Sequence, residues 1–352
     1  MNEPAGGETL WGRGQRLERA GDVQGALAAY SQATDAGEEP EDPRSVLRYA
    51  EQLEARGRAE EAEIAFRRAC GSGEADVAAA AWRGAAAYLI QRGEFEKGFA
   101  ALEAIVAIGD PDESPRALRN IGTLREDVFG DVQGARAAYE AAISYGHPQH
   151  SPGARVNLAQ LLEKQGDLEG ATAMFRAAID SGHPIEGVRA RALLGLLIEA
   201  RGDDDGALAE FETAIALDRE GEWGQRAAFS AGGIHMRRDE FALAADAFRI
   251  AGQIAEPDNA TMAAYLCGEA ERELGNEQAA LDAYLRAVEV DAAQSEPARL
   301  ARFTAAKEAG VILAQRQEPD AARRLFALVA GPEAGAPAEL RQQAEQALRE
   351  LG

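Results

Sequence analysis

The sequence is poor in the residues that disulfide frameworks, metal centres and membrane spans require. Its two cysteines, Cys70 and Cys267, lie far apart without neighbouring partners, which excludes a small disulfide scaffold and a CxxC-type metal site. His147 and His150 have HxxH spacing, but they flank Pro148 and have no cluster of Cys or Asp beside them, so we expect no bound metal. No apolar run could span a bilayer or act as a signal segment, so we expect a cytoplasmic protein with no membrane partner.

Basic residues are also scarce. The chain has 37 Lys and Arg against 60 Asp and Glu, which gives a formal net charge of −23 at pH 7. Such a chain would repel the phosphate backbone of a nucleic acid unless its basic residues were gathered in one track. We therefore expect no nucleic-acid partner.

Sequence motifs of catalysis and cofactor binding are absent as well. No GxxxxGK[ST] or GxGxxG segment follows a strand-like run, and no serine lies in a nucleophile elbow. Asp203, Asp204 and Asp205 occupy a turn that other copies of the turn fill with Glu94 or Asp167, so we interpret them as solvated helix caps. The sequence predicts no enzyme, no catalytic residue and no cofactor.

What the sequence does contain is one pattern that recurs nine times. Each copy has a turn residue, a small residue five positions later, an aromatic ring or Leu at nine, and Ala, Ile or Val at twelve. The last three positions are spaced i, i+4 and i+7, which is one face of an amphipathic helix. The turn residues are Gly21, Gly57, Gly93, Gly130, Gly166, Gly202, Asp239, Gly275 and Gln317.

A second helical stretch precedes each turn and carries a Gly or Ala where the two helices would cross. Gly inside a helix costs about 1 kcal/mol relative to Ala, so its repeated use predicts close helix contacts that offset the loss. These small residues are Gly14, Ala50, Ala86, Gly122, Ala159, Gly195, Gly232, Gly268 and Gly310.

The helix–turn–helix unit resembles the tetratricopeptide repeat over residues 9 to about 330. The clearest copy reads Leu158, Ala159, Leu162, Gly166, Ala171, Phe175 and Ala178. The resemblance implies an all-α fold, a right-handed superhelical solenoid of about nine such units with a C-terminal capping helix. The units are two or three residues longer than the usual repeat of about 34, and the linkers YGHP at 145–148 and SGHP at 181–184 are similar to Sel1-like repeats.

The regular spacing predicts one elongated domain rather than several globular ones. We expect a disordered tail over 1–8, a nine-unit array over 9–332 and a C-terminal capping helix over 333–352. One break in the period places an insertion near 291–299, between the eighth and ninth units. The insertion is either a longer loop or a hinge or docking site.

The resemblance also implies a binding surface, because the first helices of a tetratricopeptide stack line a concave groove that holds peptides or partner helices. Candidate partner-binding residues on these helices are Arg83, Arg116, Arg119, Asn120, Arg155, Asn157, Arg189 and Arg226. In one account the guanidinium groups recognise carboxylates of a partner. In the other they pair with acids of the preceding linker, such as Arg116 with Asp112 or Glu113, and tie neighbouring units together.

Three of these candidates resemble part of a known peptide-binding site. Arg119, Asn157 and Arg189 match three of the five groups of the carboxylate clamp by which some tetratricopeptide co-chaperones hold a chain's C-terminus. Thr123 and Leu193 stand where that clamp has Asn and a basic residue, so the set is incomplete.

Aromatic residues near the inner helices suggest a second interaction surface, since aromatic rings and Arg are common anchors of interfaces. They are Trp11, Trp82, Phe229 and Tyr265. Trp82 also fits the large core residue at the start of the first helix, and we favour core packing for it.

The sequence as a whole favours a non-enzymatic scaffold or adaptor that binds a peptide segment or helix of a partner protein in its groove, with acidic contacts from the partner. The alternative is a regulatory sensor whose superhelix responds to a peptide or a small signal molecule. The identity of the partner and the oligomeric state stay open.

Overall fold

The computed structural model describes residues 8–40, 42–254, 256–290, 295–331 and 335–351. These residues form nineteen α-helices and no strand. They divide into two compact units, Met1–Asp167 and Leu168–Gly352, with the boundary just after the turn of the fifth repeat. Residues 1–7 of the expected tail and 291–294 of the expected insertion lie outside the described residues.

The first unit holds nine helices. They are α1 (Leu10–Arg19), α2 (Val23–Asp35), α3 (Pro43–Glu54), α4 (Ala59–Cys70), α5 (Ala75–Gln91), α6 (Phe95–Ile108), α7 (Glu113–Asp127), α8 (Val132–Ser144) and α9 (Ser151–Lys164).

The second unit holds ten helices. They are α10 (Leu168–Asp180), α11 (Glu186–Glu199), α12 (Asp204–Leu217), α13 (Glu222–Arg237), α14 (Phe241–Ala251), α15 (Pro257–Glu273), α16 (Glu277–Glu289), α17 (Glu296–Gln315), α18 (Pro319–Ala330) and α19 (Ala338–Glu350).

The helices of each unit pack in two layers. In the first unit α1 packs on α2, α3 on α4, α5 on α6 and α7 on α8, and in the second the pairs run from α11 on α12 to α17 on α18. In addition, α3 contacts α5, α5 contacts α7 and α7 contacts α9, as α11 contacts α13 and α15 contacts α17. Among the described residues no comparable contact joins successive even-numbered helices. The odd-numbered helices therefore form the inner layer and the even-numbered helices the outer one.

All nine turn residues of the sequence pattern have a positive φ, which confirms the register of the repeats. Seven are glycines with φ between 65° and 82°, whereas Asp239 (58°) and Gln317 (62°) are side-chain-bearing residues in the same left-handed region. After three of these turns the side chain of Asp22, Asp131 or Asp203 accepts a hydrogen bond of 2.9 Å from the backbone N–H three residues later. The capping role predicted for Asp203 is thus confirmed.

The close helix crossings predicted from the small residues are also confirmed. In six repeats the glycine of the inner helix lies directly against the ring of the outer helix, and an added methyl carbon would come within 2.3 to 2.8 Å of a ring carbon. The pairs are Gly14 with Tyr30, Gly122 with Tyr139, Gly195 with Phe211, Gly232 with Phe248, Gly268 with Tyr284 and Gly310 with Phe326. In the second repeat Ala50 replaces glycine, and the ring of Phe66 lies against Gly84 of the next inner helix.

One extra residue lengthens the end of α7 in the fourth repeat. The N–H of Asp131 donates to the carbonyl of Arg125, six residues back, whereas the equivalent Asp22 donates to Leu17, five residues back. The additional residue therefore follows Gly122, and the candidate residues earlier on α7 keep the register of the other inner helices.

The last repeat is covered by an additional helix. α19 packs against α17 and α18, where Ala344 is fully buried and Leu340 and Leu348 pack against the last hydrophobic cluster. α17 begins at Glu296 and is 20 residues long, so residues 296–299 of the expected insertion belong to this helix.

Candidate functional site

All eight candidate residues lie on inner helices. The first unit contributes Arg83 on α5, Arg116, Arg119 and Asn120 on α7, and Arg155 and Asn157 on α9, while the second contributes Arg189 on α11 and Arg226 on α13. Arg226 is exposed and the other seven are partly buried. The three clamp-like residues are thus divided between the units, with Arg119 and Asn157 in the first and Arg189 in the second.

Two inner arginines tie neighbouring repeats together. Arg83 Nε donates to Glu113 Oε1 at 3.0 Å, which joins α5 to the first residue of α7. Arg44, on α3, pairs with Glu74 and, at 2.7 Å, with Asp76 at the start of α5. These arginines therefore tie neighbouring units together, as the structural account expects, but through acids of the following repeat rather than of the preceding linker.

Arg116 does not make the ion pair that the second of the two accounts assigns to it. Glu113 pairs with Arg83 at 3.0 Å, and Asp112 pairs with His147 at 3.1 Å, so both predicted partners are engaged elsewhere. Neither Arg116 nor Arg155 forms an ion pair with any of the residues that the structure describes. Their guanidinium groups are therefore available on the inner layer.

Two histidines directly precede α9, and one of them, His150, lies near Arg116 and Arg119. The rings of His147 and His150 stack with their centroids 4.6 Å apart. Because Nδ1 of His147 accepts a hydrogen bond from the N–H of Gln149 at 3.2 Å, its Nε2 carries the proton and donates to Asp112 at 3.1 Å. Burial, assisted by the neighbouring His147, Arg116 and Arg119, lowers the pKa of His150 to about 4.

The recurring histidine of the linkers therefore has a structural role. In the second copy, Nδ1 of His183 accepts hydrogen bonds from the N–H groups of Ile185 and Glu186, at 3.3 and 3.1 Å, at the start of α11. In the described ranges of the chain no group of three or more His, Cys, Asp or Glu side chains could hold a metal ion.

The amide of Asn157 bridges the inner helices of the first unit. Its Nδ2 donates to Thr123 Oγ1 at 3.5 Å, and Thr123 Oγ1 lies 3.4 Å from the hydroxyl of Tyr139. Asn120 is partly buried on α7, one residue from Arg119. These side chains bring hydrogen-bonding groups next to the basic ones.

The inner layer of the second unit carries an aromatic site that the sequence patterns did not reveal. Trp223, in the first turn of α13, has the guanidinium of Arg226 at 5.0 Å from its ring centroid and that of Arg189 at 5.5 Å. Arg226 also pairs with Glu222 at 3.3 Å, and Arg189 with Glu186 at 3.4 Å. Trp223 lies before the repeated positions, and its only sequence signal is the i, i+3 spacing to Arg226.

A cleft of about 290 Å³ opens beside this tryptophan. Its walls are formed by α11, α13 and the start of α15, with Phe211 and Ala251 from the outer helices. The lining residues are Ala192, Leu193, Leu196, Phe211, Trp223, Gln225, Arg226, Ala227, Phe229, Ser230, Ala251, Ile254 and Asn259. Apart from Arg226 the lining is uncharged.

The other aromatic candidates contribute less to the surface. Trp11 is only 1% exposed and its Nε1–H donates to the carbonyl of Glu38 at 2.8 Å, so its suggested role as a surface anchor is wrong. Trp82 packs against the hydrophobic clusters of the first unit, as we favoured. Phe229 meets Phe248 edge to face, with centroids 5.8 Å apart, and lines the cleft.

The two cysteines form no disulfide; Cys267 is buried and Cys70 is partly buried. Burial raises the pKa of Cys70 to about 12, and it raises the pKa of Cys267 as well. Within the described ranges, no helix is both long enough and apolar enough to cross a membrane.

Known proteins share the pattern and the fold. The tetratricopeptide repeat family model matches residues 12–77, 128–184 and 158–222. The fold is similar to that of the C-terminal part of a TPR repeat-containing protein from Cytophaga hutchinsonii, with a TM-score of 0.51 at 12% identity, covering 73% of this chain and 97% of that one. It is also similar to pilF of Pseudomonas aeruginosa, with a TM-score of 0.50 at 18% identity, covering 63% of this chain and 96% of that one.

A third similar structure is the human IFIT1 dimer with m7Gppp-AAAA, with a TM-score of 0.50 at 13% identity, covering 96% of this chain and 80% of that one. At these identities the likeness concerns the fold alone. No curated protein matches the chain. The family match, the stacked helix pairs and the ninefold pattern together show that this chain is a tetratricopeptide repeat protein.

Proposed function

We propose that this protein is a non-enzymatic scaffold whose inner layer binds an extended segment or a helix of a partner protein through the partner's carboxylates. Tetratricopeptide repeat proteins are in general protein-interaction scaffolds and are typically non-catalytic. The observation that carries the proposal is the pair Arg116 and Arg155, which lie on α7 and α9 without an ion-pair partner among the described residues.

The lack of an ion pair at Arg116 and Arg155 among the described residues is informative, because carboxylates are abundant in this chain. Acidic residues outnumber basic ones by 60 to 37, so a carboxylate is easy to supply wherever an arginine needs one for stability. Arg83, on the preceding inner helix, has such a partner in Glu113 at 3.0 Å. Arg116 instead lies near the positive charge of Arg119, since both act on His150. A bound carboxylate offsets this repulsion and gains about 1.5 to 3 kcal/mol for each charge-assisted hydrogen bond.

The asparagines suit the same ligand. An amide side chain offers both a donor and an acceptor, which matches the N–H and C=O of an extended peptide backbone. Asn120 and Asn157 occupy equivalent places on α7 and α9, beside the arginines. The guanidinium groups would thus bind acidic side chains of the partner's segment, while the amides hydrogen-bond to its main chain.

The test is a charge-reversal variant that carries Arg116→Glu, Arg119→Glu and Arg155→Glu. Wild-type and variant chains are used to capture partners from a lysate of the source organism, retained proteins are identified by mass spectrometry, and the affinity of each is measured with purified protein. We expect a partner held by the wild type and lost from the variant, with unchanged far-UV circular dichroism.

The matched control carries Arg136→Glu, Arg176→Glu and Arg324→Glu, which place the same change of charge on exposed positions of the outer helices α8, α10 and α18. The control is expected to retain the partner. Equal retention by the wild type and the inner-layer variant, or equal loss from both variants, would contradict binding by the inner arginines.

A further inference from the structure

We infer that the cleft beside Trp223 holds one apolar side chain of a partner's extended segment, while Arg226 binds an Asp or Glu of the same segment. The inference rests on the proposed function in assuming a peptide ligand, but it concerns other residues, in the second unit. It adds to carboxylate recognition a defined apolar anchor and a defined position for one acid.

The walls of the cleft are suited to an apolar side chain. Leu196 on α11 is 43% exposed, although it is a large hydrophobic residue on an inner helix, and Leu193, Trp223 and Phe229 stand beside it partly buried. The volume of about 290 Å³ is just below that of ligand pockets, which run from about 300 to 1,000 Å³, and so suits a single large side chain. Covering Leu196 and Trp223 removes apolar surface from water.

The charged residue at the edge of the cleft determines which residue of the partner can lie next to the apolar side chain. Arg226 is the one charged residue among those that line the cleft in the described part of the chain. Its ion pair with Glu222 spans 3.3 Å between side chains that are 47% and 60% exposed, and such exposed pairs contribute little. A carboxylate from the partner can therefore take the place of Glu222, and the indole face of Trp223 keeps the guanidinium oriented.

Polar groups inside the cleft can hold the main chain of the same segment. Ser230 on α13 and Asn259 at the start of α15 both line it. A hydroxyl and an amide together supply the donors and acceptors that an extended backbone needs. The ligand is thus a short extended segment in which a Leu, Phe or Trp lies near an Asp or Glu.

The experiment measures the binding of designed peptides to the full-length chain by fluorescence anisotropy. The probes are fluorescein-labelled Gly-Ser peptides that each carry one Leu, Phe or Trp and one Asp within the next few residues, and a second set in which Lys replaces the Asp. We expect the Asp peptides to bind about tenfold more tightly than the Lys peptides, which corresponds to one charge-assisted contact.

Two variants locate the site. Arg226→Gln should abolish the preference for Asp over Lys, and Leu196→Ser should weaken both peptide sets because it removes apolar contact; each changes a surface residue. The controls are Arg176→Gln and Leu217→Ser, on the outer helices α10 and α12, where Leu217 is 63% exposed. The controls should bind like the wild type.

The inference is overturned if the wild type binds no peptide, if Asp and Lys peptides bind equally, or if Arg226→Gln leaves the preference intact. These outcomes are separate from those of the lysate experiment, because the charge-reversal variant changes the first unit alone. Loss of the partner from that variant together with no peptide binding would leave the proposed function standing and refute the cleft. Peptide binding together with full retention of the partner by that variant would support the cleft and refute the proposed function.

Discussion

At the scale of single residues, Gln317 is a side chain held in a backbone conformation that favours glycine. Its φ is 62°, whereas seven of the nine equivalent turns use glycine. The left-handed conformation costs a residue with a Cβ about 1 to 2 kcal/mol, and glycine avoids most of this at the expense of greater flexibility in the unfolded chain. We expect Gln317→Gly to raise the free energy of unfolding by about 1 kcal/mol, measured by urea denaturation.

The reverse substitution is the control for this prediction. Gly275→Gln, at the turn of the preceding repeat, should lower the free energy of unfolding by a similar amount, because its φ is 75°. A Gln317→Gly chain that is less stable than the wild type would show that contacts of the Gln317 side chain stabilise the fold by more than the left-handed backbone conformation costs.

His150 is a residue whose protonation should affect stability at moderately acidic pH. Its pKa is lowered from the usual 6.5 to about 4 by burial and by His147, Arg116 and Arg119. The unfolded chain therefore takes up a proton between these two values that the folded chain does not. The stability contributed by neutral His150 is complete above pH 6.5 and is lost as the pH falls towards 4.

We expect His150→Gln to reduce the loss of stability between about pH 7 and about pH 4.5 by on the order of 1 kcal/mol, after allowance for solvent screening of this partly exposed ring. Urea denaturation of both chains at both pH values gives the difference. Parallel losses in the two chains would mean that His150 titrates normally in the folded state.

At the scale of helices, the glycines of six inner helices lie too close to the rings of the outer helices for a methyl group to fit without a shift. A methyl carbon added at Gly195 would lie 2.5 Å from the ring of Phe211. Although Ala is the better helix former by about 1 kcal/mol, the overlap should dominate, and we expect Gly195→Ala to lower the free energy of unfolding by about 1 to 3 kcal/mol. Chemical denaturation measures the effect.

The third repeat supplies a control for this crossing, since it combines Ala86 with Leu102 and buries both. The double variant Gly195→Ala/Phe211→Leu should therefore be less destabilised than the sum of its two single changes. Additive effects would mean that the two side chains do not compete for the same space.

The helical elements also show which features a sequence can reveal. The turn residues and the crossing glycines were predictable because backbone conformation imposes the same rule on all nine turns and steric fit requires a small residue at each crossing. The pairing of the acids near Arg116 was not predictable, because it depends on how adjacent inner helices are placed, and Glu113 pairs with Arg83 and Asp112 with His147. The site at Trp223 could not be predicted, because it occurs in one repeat and therefore forms no periodic pattern in the sequence.

At the scale of the whole molecule, the contacts that stabilise the fold join helices that are close to one another in the sequence. Within each unit, the helices in closest contact among the described residues lie one or two positions apart in chain order. Stability in such an array is a sum of repeats and of interfaces between neighbours, so damage should stay local. Phe326 is 2% exposed on α18, and Phe326→Ala is expected to cost about 3 to 5 kcal/mol in that region.

Hydrogen exchange followed by mass spectrometry should then show faster exchange in peptides from α17, α18 and α19, with no change in peptides from α3 to α6. The equivalent change Phe66→Ala, on α4, is the control and should produce the opposite distribution. Faster exchange throughout the chain in either variant would mean that the molecule opens as one cooperative body.

The shielded thiols have a practical consequence for following this molecule in action. With the pKa of Cys70 near 12 and that of Cys267 also raised, almost no thiolate is present at neutral pH, and thiolate is the form that maleimide dyes attack. A cysteine introduced at an exposed outer position such as Leu217 would therefore take up a dye selectively. Donor and acceptor dyes placed in this way would make energy transfer a direct readout of partner binding in an otherwise unaltered chain.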